Sequence, residues 1–323
     1  MTYDATDMLQ GMICEAEASA TPAQVAIPAG EYTIRAPLVI GNHGKNRGCS
    51  LVGVGGTPKL TWAGDAYLDR HMIDAHVKGQ DLALQGLFYG IKNLWLDGQA
   101  AIGGINLDGW MYGAYAEDIS LHQMRGVALR ANDCYVSRFT NIHSYNSKGT
   151  LLDLIRCNAS TVNGFCTMHH RPLVDGDAVI RVTKHTGLIS IENTRFEAGC
   201  PSATQDRLEY PLISVHDTSG LTIRGLYYES GGQRVAIQLE NVDCLDIAQV
   251  RAWNRGVPAN QPQYFIEVVN CKRGRVANAY MWKAGTDERT AILHRVKSLT
   301  VILDEMTCGR TDAAGQLLVD DAA

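Results

Sequence analysis

A strand-like motif that recurs along the second half of this chain limits its possible folds more than any other feature. Its four clearest copies are Gly187–Gly199, Gly220–Gly231, Cys244–Asn254 and Arg273–Lys283. In these copies the same apolar position is held by Ile191, Ile223, Ile247 and Val276. Earlier segments around Leu94, Ile119, Phe139 and Val162 fit the same register more loosely. The copies are about 20 to about 32 residues apart, a spacing that indicates a solenoid or an array of repeats.

The rest of the chain fits an all-β repeat fold. After a short amphipathic segment at the N-terminus, the apolar period changes to two residues, and short strand-like runs alternate with Gly, Asn, Asp and Ser. No single repeat can bury its apolar face alone, whereas stacked coils bury a continuous column. We therefore predict one solenoid over 23–310, a capping helix within 1–22 and a C-terminal tail at 311–323.

Composition excludes several partners. Apolar residues make up 46% of the 323 residues, enough for a large core, and the formal net charge of −5 gives no general attraction to nucleic acid. No stretch approaches the roughly 20 apolar residues of a membrane span, so we expect no membrane insertion. The nine cysteines are scattered without close pairs, which argues against a disulfide framework.

Residues 1–20 contain four acidic side chains and no apolar run, so we expect no signal peptide. The expected place of synthesis is the cytoplasm. If the chain comes from a bacteriophage, we expect it in the virion or outside the cell after lysis.

The segment from Gln24 to Gly56 carries a more specific signal. It reads Ile27-Pro-Ala-Gly-Glu-Tyr-Thr-Ile34, then Leu38-Val-Ile40, then the glycine-rich run Leu51–Gly56. This segment resembles the opening of a right-handed parallel β-helix of the pectate-lyase-like superfamily, and a similar opening is found in bacteriophage tailspikes. The resemblance implies an all-β, single-stranded right-handed parallel β-helix with a short N-terminal capping helix. The tailspike likeness also implies a homotrimer.

The bends between strands locate a candidate surface. The residue two positions after the apolar anchor is Asn141, Asn193, Gly225 or Asn278, and Asn and Gly tolerate the left-handed backbone of a sharp bend. If a bend falls there, the parity of the side chains changes after it. Phe196, Tyr228, Ala252 and Met281 would then point into the core. The flanking outward positions would form two columns, Arg195, Tyr227, Arg251 and Tyr280 in one, and Glu197, Glu229, Trp253 and Trp282 in the other.

Such columns suit a sugar chain, because aromatic faces stack on pyranose rings while Arg and Glu hydrogen-bond hydroxyl and acidic groups. Glu197 and Glu229 would lie one rung apart, with carboxyl groups on the order of 5 Å from each other, close to the spacing of a retaining glycosidase pair. We therefore name these two as candidate catalytic residues and the other six as candidate substrate-binding residues. The alternative is that both glutamates are surface residues paired with Arg195 and Arg251. Trp253 and Trp282 could equally lie in a subunit contact.

Signals for a metal are weak. Asp175 and Asp177 flank a glycine and could bind calcium, which lyases of this superfamily often use, but an ordinary turn explains them more simply. His169 and His170 lie beside Cys166, without the spacing of a zinc site. We therefore expect no cofactor, with calcium as the open alternative.

Three functions remain at this point. The first is a virion appendage, similar to a tailspike, that binds a polysaccharide of the host surface and could also cleave it, together with other virion proteins. The second is a stand-alone polysaccharide lyase or glycoside hydrolase that uses Glu197 and Glu229. The third is a non-catalytic structural or adhesive solenoid whose columns only make subunit contacts.

Overall fold

A computed structural model describes most of the chain. The described residues are 4–19, 23–42, 48–67, 69–77, 89–168, 178–184, 187–197, 210–229, 235–253, 264–282, 291–298, 300–310 and 318–322. The chain is an all-β right-handed parallel β-solenoid, as the sequence predicts, and its described helix lies near the N-terminus. It divides into two compact units, Met1–Val162 and Asn163–Ala323.

In the first unit the strands lie in two parallel sheets. Sheet A contains β1 (Gln24–Pro28), β2 (Glu31–Ile34), β4 (Ser50–Val54), β5 (Lys59–Trp62), β7 (Gly90–Asp97), β9 (Tyr115–His122) and β11 (Arg138–Tyr145). Sheet B contains β3 (Leu38–Ile40), β6 (His71–His76), β8 (Gly103–Tyr112), β10 (Leu129–Tyr135) and β12 (Leu152–Ile155). Strand β13 (Ser160–Asn163) follows at the division between the units.

The second unit repeats this arrangement. Its strands of sheet A are β14 (Cys166–Met168), β16 (Leu188–Glu192), β17 (Arg195–Glu197), β19 (Gly220–Glu229), β21 (Leu245–Trp253), β23 (Gly274–Trp282), β25 (Val301–Leu303) and β26 (Gly309–Arg310). Its strands of sheet B are β15 (Ile180–Thr183), β18 (Ile213–Thr218), β20 (Val235–Val242), β22 (Tyr264–Val269), β24 (Ala291–Val296) and β27 (Val319–Ala322). The last of these pairs in parallel with β24, so the segment predicted as a tail contributes a strand.

Helix α1 (Thr6–Ala18) contacts the first coil. Leu9 and Ile13 are buried, as expected for the apolar face of an amphipathic helix. The Gln10 side chain acts as a substitute strand, since its amide donates to Val39 O at 2.9 Å and accepts from Val39 N at 2.8 Å. The helix therefore satisfies backbone groups of β3 that would otherwise form an open sheet edge.

The predicted anchors and bends are confirmed in the second unit. Ile191, Ile223, Ile247 and Val276 are paired across β16, β19, β21 and β23, and all four are fully buried. The residues two positions later are in the left-handed region, with φ values of 50° at Asn193, 67° at Gly225, 57° at Gln249 and 51° at Asn278. Gly225 also fits because a Cβ there would lie 2.8 Å from Asn193 Oδ1.

In the first unit two of the loosely placed anchors are wrong by three residues. The buried residue that pairs with Phe139 is Ala116, and Ala116 pairs in turn with Ile91. The left-handed bends then fall at Asn93, Asp118 and Asn141, with φ values of 54°, 55° and 52°. Leu94 and Ile119 are also buried core residues, but they follow the bend instead of preceding it. An apolar residue on each side of the bend makes the two registers hard to separate by pattern alone.

The bend at Asn193 provides a test of this architecture. Asn193→Val should destabilise the protein by about 2 kcal/mol, because a β-branched residue is strained at a positive φ. The variant also loses the hydrogen bond from Asn193 Nδ2 to Asn163 Oδ1, 3.0 Å long. Asn193→Gly is the matched control, since it loses the same hydrogen bond but tolerates the backbone. Thermal unfolding followed by circular dichroism should give the highest melting temperature for wild type, a lower one for Asn193→Gly and the lowest for Asn193→Val. Equal melting temperatures for the two variants would contradict the assigned bend.

Candidate functional site

The strands after the bends in sheet A of the second unit bring the predicted site residues into register. Arg195 pairs with Tyr227, Tyr227 with Arg251, and Arg251 with Tyr280. Two residues further along, Glu197 pairs with Glu229, Glu229 with Trp253, and Trp253 with Trp282. These eight residues, in two columns, are called the charged–aromatic face below. Parallel pairing places successive rungs about 4.8 Å apart.

The residues between the two columns form part of the core. Phe196, Tyr228, Ala252 and Met281 are each at most 1% exposed. The positions on either side of them are half-buried or exposed. The left-handed bend thus changes the side-chain parity as the sequence predicts, so the charged–aromatic face lies on the outside of the coils.

Arg195 joins the two columns at one end of the face. Its guanidinium forms an ion pair with the Glu197 carboxylate and lies 5.6 Å from the ring centroid of Tyr227. The Arg195 and Glu197 side chains remain 56% and 31% exposed, so water screens this pair. The pairing matches the surface alternative for Glu197. It also leaves a guanidinium and a carboxylate side by side within reach of a ligand.

Glu229 has a different environment from Glu197. The Tyr227 hydroxyl donates to Glu229 Oε2 at 3.5 Å, a long hydrogen bond. Burial raises the pKa of Tyr227, the negative charge of Glu229 raises it further, and the positive charge of Arg195 opposes this. One glutamate therefore contacts a cation and the other a neutral phenol.

The far end of the face is aromatic. The rings of Tyr280 and Trp282 are stacked, with centroids 6.3 Å apart and planes inclined by 21°. Trp253 occupies the rung between Glu229 and Trp282, and its side chain is half-buried. Along one direction the surface thus changes from charged to aromatic.

The register extends one rung beyond these eight residues. Cys166 pairs with Arg195 and Met168 pairs with Glu197, while Thr167 is buried between them. Burial raises the pKa of the Cys166 thiol, and the nearby Glu197 charge adds to the shift while Arg195 opposes it. Cys166 is therefore a neutral thiol at neutral pH and Met168 an exposed apolar side chain beside the first carboxylate.

The candidate metal residues Asp175, Asp177, His169 and His170 lie outside the described residues. Within the described ranges, no three His, Cys, Asp or Glu side chains are grouped so that they could hold a metal ion. The eight cysteines that the structure describes are free thiols. In the described parts of the chain, no helix is long and apolar enough to cross a membrane.

Sequence reasoning missed a second group of polar and aromatic residues, which belongs to the first unit. It contains Lys59, Trp95, Asp97, His122 and Tyr145, which come from four strands of sheet A. The bends at Asn93, Asp118 and Asn141 could have located this group. Its residues other than Lys59 lie two or four positions after a bend, as the residues of the charged–aromatic face do.

The contact between Tyr227 and Glu229 predicts a measurable titration. Glu229→Gln should lower the pKa of Tyr227, because a negative neighbour that disfavours the phenolate is removed. The phenol can be followed by NMR of protein labelled with ¹³C-tyrosine, with Tyr227→Phe to assign its signal. Asp246→Asn is the control and should leave the pKa of Tyr227 unchanged, because the Asp246 carboxylate pairs with Arg224. An unchanged Tyr227 titration in Glu229→Gln would contradict the contact.

Comparisons with known proteins identify the fold. No protein-family model matches the chain, and no curated protein matches its sequence. Among solved structures, ORF18 of Geobacillus virus E2 superposes with a TM-score of 0.64 at 12% identity. That match covers 99% of this chain and 59% of the viral protein, so the chain spans less than two thirds of the viral protein's length.

A second similar structure is the A-module of the mannuronan C-5 epimerase AlgE6 from Azotobacter vinelandii. It has a TM-score of 0.56 at 13% identity, with 100% of this chain and 96% of the module covered. At such identities the likeness concerns the fold, and both structures are parallel β-helix proteins. The chain is therefore similar in fold to a viral protein and to an epimerase module.

Proposed function

We propose that the charged–aromatic face binds a polysaccharide, and that the chain is a tailspike-like component of a virion that recognises a polysaccharide on the surface of a host cell. The observation that carries this proposal is the register of β17, β19, β21 and β23. It aligns Arg, Tyr, Glu and Trp side chains on consecutive rungs of one surface, where each of them is half-buried or exposed. A polymer with a regular repeat is the natural ligand for a surface with a regular repeat.

The chemistry of the face suits sugars at both ends. Trp282 and Tyr280 present stacked aromatic rings, which can cover the C–H face of a pyranose ring. Arg195 and Glu197 supply exposed donors and acceptors for hydroxyl groups, and the guanidinium can bind an acidic substituent in a bidentate manner. The core residues between the columns hold both sets in place.

The likeness in fold to a protein of Geobacillus virus E2 supports the viral part of this proposal. The likeness to a module of a mannuronan epimerase supports the carbohydrate part. The same proposal includes a homotrimer and contacts with other virion proteins, as in the tailspikes that the N-terminal segment resembles. It places the protein in the virion, or outside the cell after lysis.

The pairing of Glu197 with Glu229 favours a second candidate function, cleavage of the bound polysaccharide by a lyase or hydrolase reaction. Adjacent rungs place their Cα atoms about 4.8 Å apart, and carboxyl groups about 5–5.5 Å apart serve as acid/base and nucleophile in retaining glycosidases. Glu197, beside Arg195, and Glu229, beside the phenol of Tyr227, are the candidate acid and base or nucleophile.

Binding through the aromatic end predicts the effect of Trp253→Ala. The variant should bind a recognised capsule or O-antigen polysaccharide at least about tenfold more weakly, because a large stacking surface is lost. Leu188→Ala is the control, since Leu188 is an exposed apolar residue of the same unit, on the strand segment before the bend. Glycan-array binding and light scattering should be measured on the same samples. If Trp253→Ala abolishes assembly while the remaining monomer binds glycan normally, Trp253 belongs to a subunit contact and the binding role is wrong.

Catalysis predicts a separate result. Glu197→Gln and Glu229→Gln should each lower turnover by about 100-fold or more while glycan binding is retained, because the amide keeps the shape and removes the transferable proton or negative charge. Turnover is measured as reducing-sugar release, or as absorbance of an unsaturated product, on a panel of bacterial capsules and O-antigens. Asp246→Asn is the carboxylate control outside the face. Unchanged turnover in Glu229→Gln would reject the assignment, and no turnover by wild type would leave binding alone.

A further inference from the structure

The first unit contains a compact group of chemically reactive and aromatic side chains with no role in the charged–aromatic face. Sheet A positions it in two neighbouring columns. In one column Lys59 pairs with Trp95, and in the other Asp97 pairs with His122, which pairs in turn with Tyr145. The residues between the columns, Leu60, Leu96, Leu121 and Ser144, are buried. These five side chains are called the Trp95 cluster below.

An ion pair anchors one end of the Trp95 cluster. Lys59 Nζ lies 3.4 Å from Asp97 Oδ2 and 5.1 Å from the centroid of the Trp95 ring. Asp97 is only 5% exposed, and its other oxygen accepts the Gln99 backbone N–H at 3.2 Å. The buried carboxylate thus has a cation and a backbone donor, and the charges of Lys59 and Asp97 cancel.

Three rings follow one another across three rungs. The Trp95 and His122 rings have centroids 4.6 Å apart, and those of His122 and Tyr145 are 5.7 Å apart. The side chain that pairs with Trp95 on the next rung is Ser120, which is small and leaves room for the indole to reach His122. Tyr145 at the end of the row is 42% exposed. The row therefore presents aromatic surface to a ligand over about two rung spacings, on the order of 10 Å.

The surroundings of His122 favour its neutral form over the imidazolium cation. Burial lowers its pKa, the Asp97 charge opposes this shift and the Lys59 charge adds to it. A neutral imidazole offers one N–H donor and one nitrogen acceptor. Among the described residues, no hydrogen bond occupies either ring nitrogen, and the buried Trp95 indole N–H has no acceptor. The His122 imidazole, beside an aromatic row, is thus available to a ligand, whereas the Trp95 indole N–H is buried.

We propose that the Trp95 cluster is a second carbohydrate-binding site, which binds a neutral sugar chain. The rings of Trp95 and Tyr145 cover the apolar faces of the sugar, and the imidazole of His122 hydrogen-bonds its hydroxyl groups. A neutral ligand fits because the one cation of the cluster is already balanced by Asp97. The proposal stands independently of the function proposed for the second unit.

The test uses the full chain on a printed array of neutral and uronate-containing oligosaccharides. At least one neutral oligosaccharide should bind wild type and lose tenfold or more in apparent affinity with Trp95→Ala and with Tyr145→Ala. Tyr112→Ala is the matched control, because Tyr112 belongs to sheet B of the same unit and is 44% exposed. It should bind as wild type does.

The double variant Trp253→Ala/Trp282→Ala separates the two sites. A neutral oligosaccharide bound at the Trp95 cluster keeps its affinity in the double variant, whereas a ligand of the charged–aromatic face loses it. Because Trp95 is half-buried, the melting temperatures of wild type and variants are compared. If Trp95→Ala does not fold, the result for Tyr145→Ala alone decides the proposal. The proposal is overturned if no neutral oligosaccharide depends on Tyr145, or if only uronate-containing ones do. Neither result would affect the function proposed for the second unit.

Discussion

The parallel register of one coil on the next is the constraint on which the rest of this structure depends, and side chains at the bends help to fix it. In sheet B of the second unit, Asp217, Asn241 and Asn270 all have left-handed backbones. Asn241 donates its amide to Asp217 at 2.9 Å, and Asn270 donates to Asn241 at 2.7 Å. A shift by one residue would break these hydrogen bonds and also move apolar side chains from the core to the surface. Bend chemistry and core packing therefore select the same register, which is the kind of agreement that specifies a single fold.

Register also explains how distant residues become a surface. The left-handed bend reverses side-chain parity, so each strand after it presents outward residues on either side of one buried residue. The buried position packs the core, as Tyr228 does in the second unit and Leu96 in the first. The outward positions contribute less to folding and can vary in chemistry. In the second unit they carry the charged–aromatic face, and in the first unit they carry the Trp95 cluster.

Much of this could be predicted from the sequence where the repeat is regular. Four copies with an isoleucine or valine anchor, three of them with Asn or Gly two residues later, were enough to place Glu197 opposite Glu229 and Trp253 opposite Trp282. The Trp95 cluster could not be predicted in the same way. In the first unit Ala116 occupies the anchor position, and the larger Leu94 and Ile119 follow the bend. Pattern reasoning favours the larger residues as anchors. Aligning Ile119 instead of Ala116 with Phe139 shifts β9 against β11 by three residues and separates His122 from Tyr145. The environments of the side chains, such as the ion pair of Arg195 with Glu197, depend on rotamers that no periodicity specifies.

The charged–aromatic face and the Trp95 cluster contribute differently to folding stability, and neither contribution explains well why these residues are present. The exposed pair of Arg195 and Glu197 is screened by water, so it contributes at most about 1 kcal/mol to stability. Folding alone gives little reason for two guanidinium groups, two carboxylates and two indoles on consecutive rungs. In the Trp95 cluster, folding also bears a cost, because the Asp97 carboxylate is buried and the indole N–H of Trp95 lacks an acceptor within the described residues. An apolar pair in place of Lys59 and Asp97 would avoid the desolvation of two charges. Polar groups held at a cost to folding are more typical of ligand recognition than of packing.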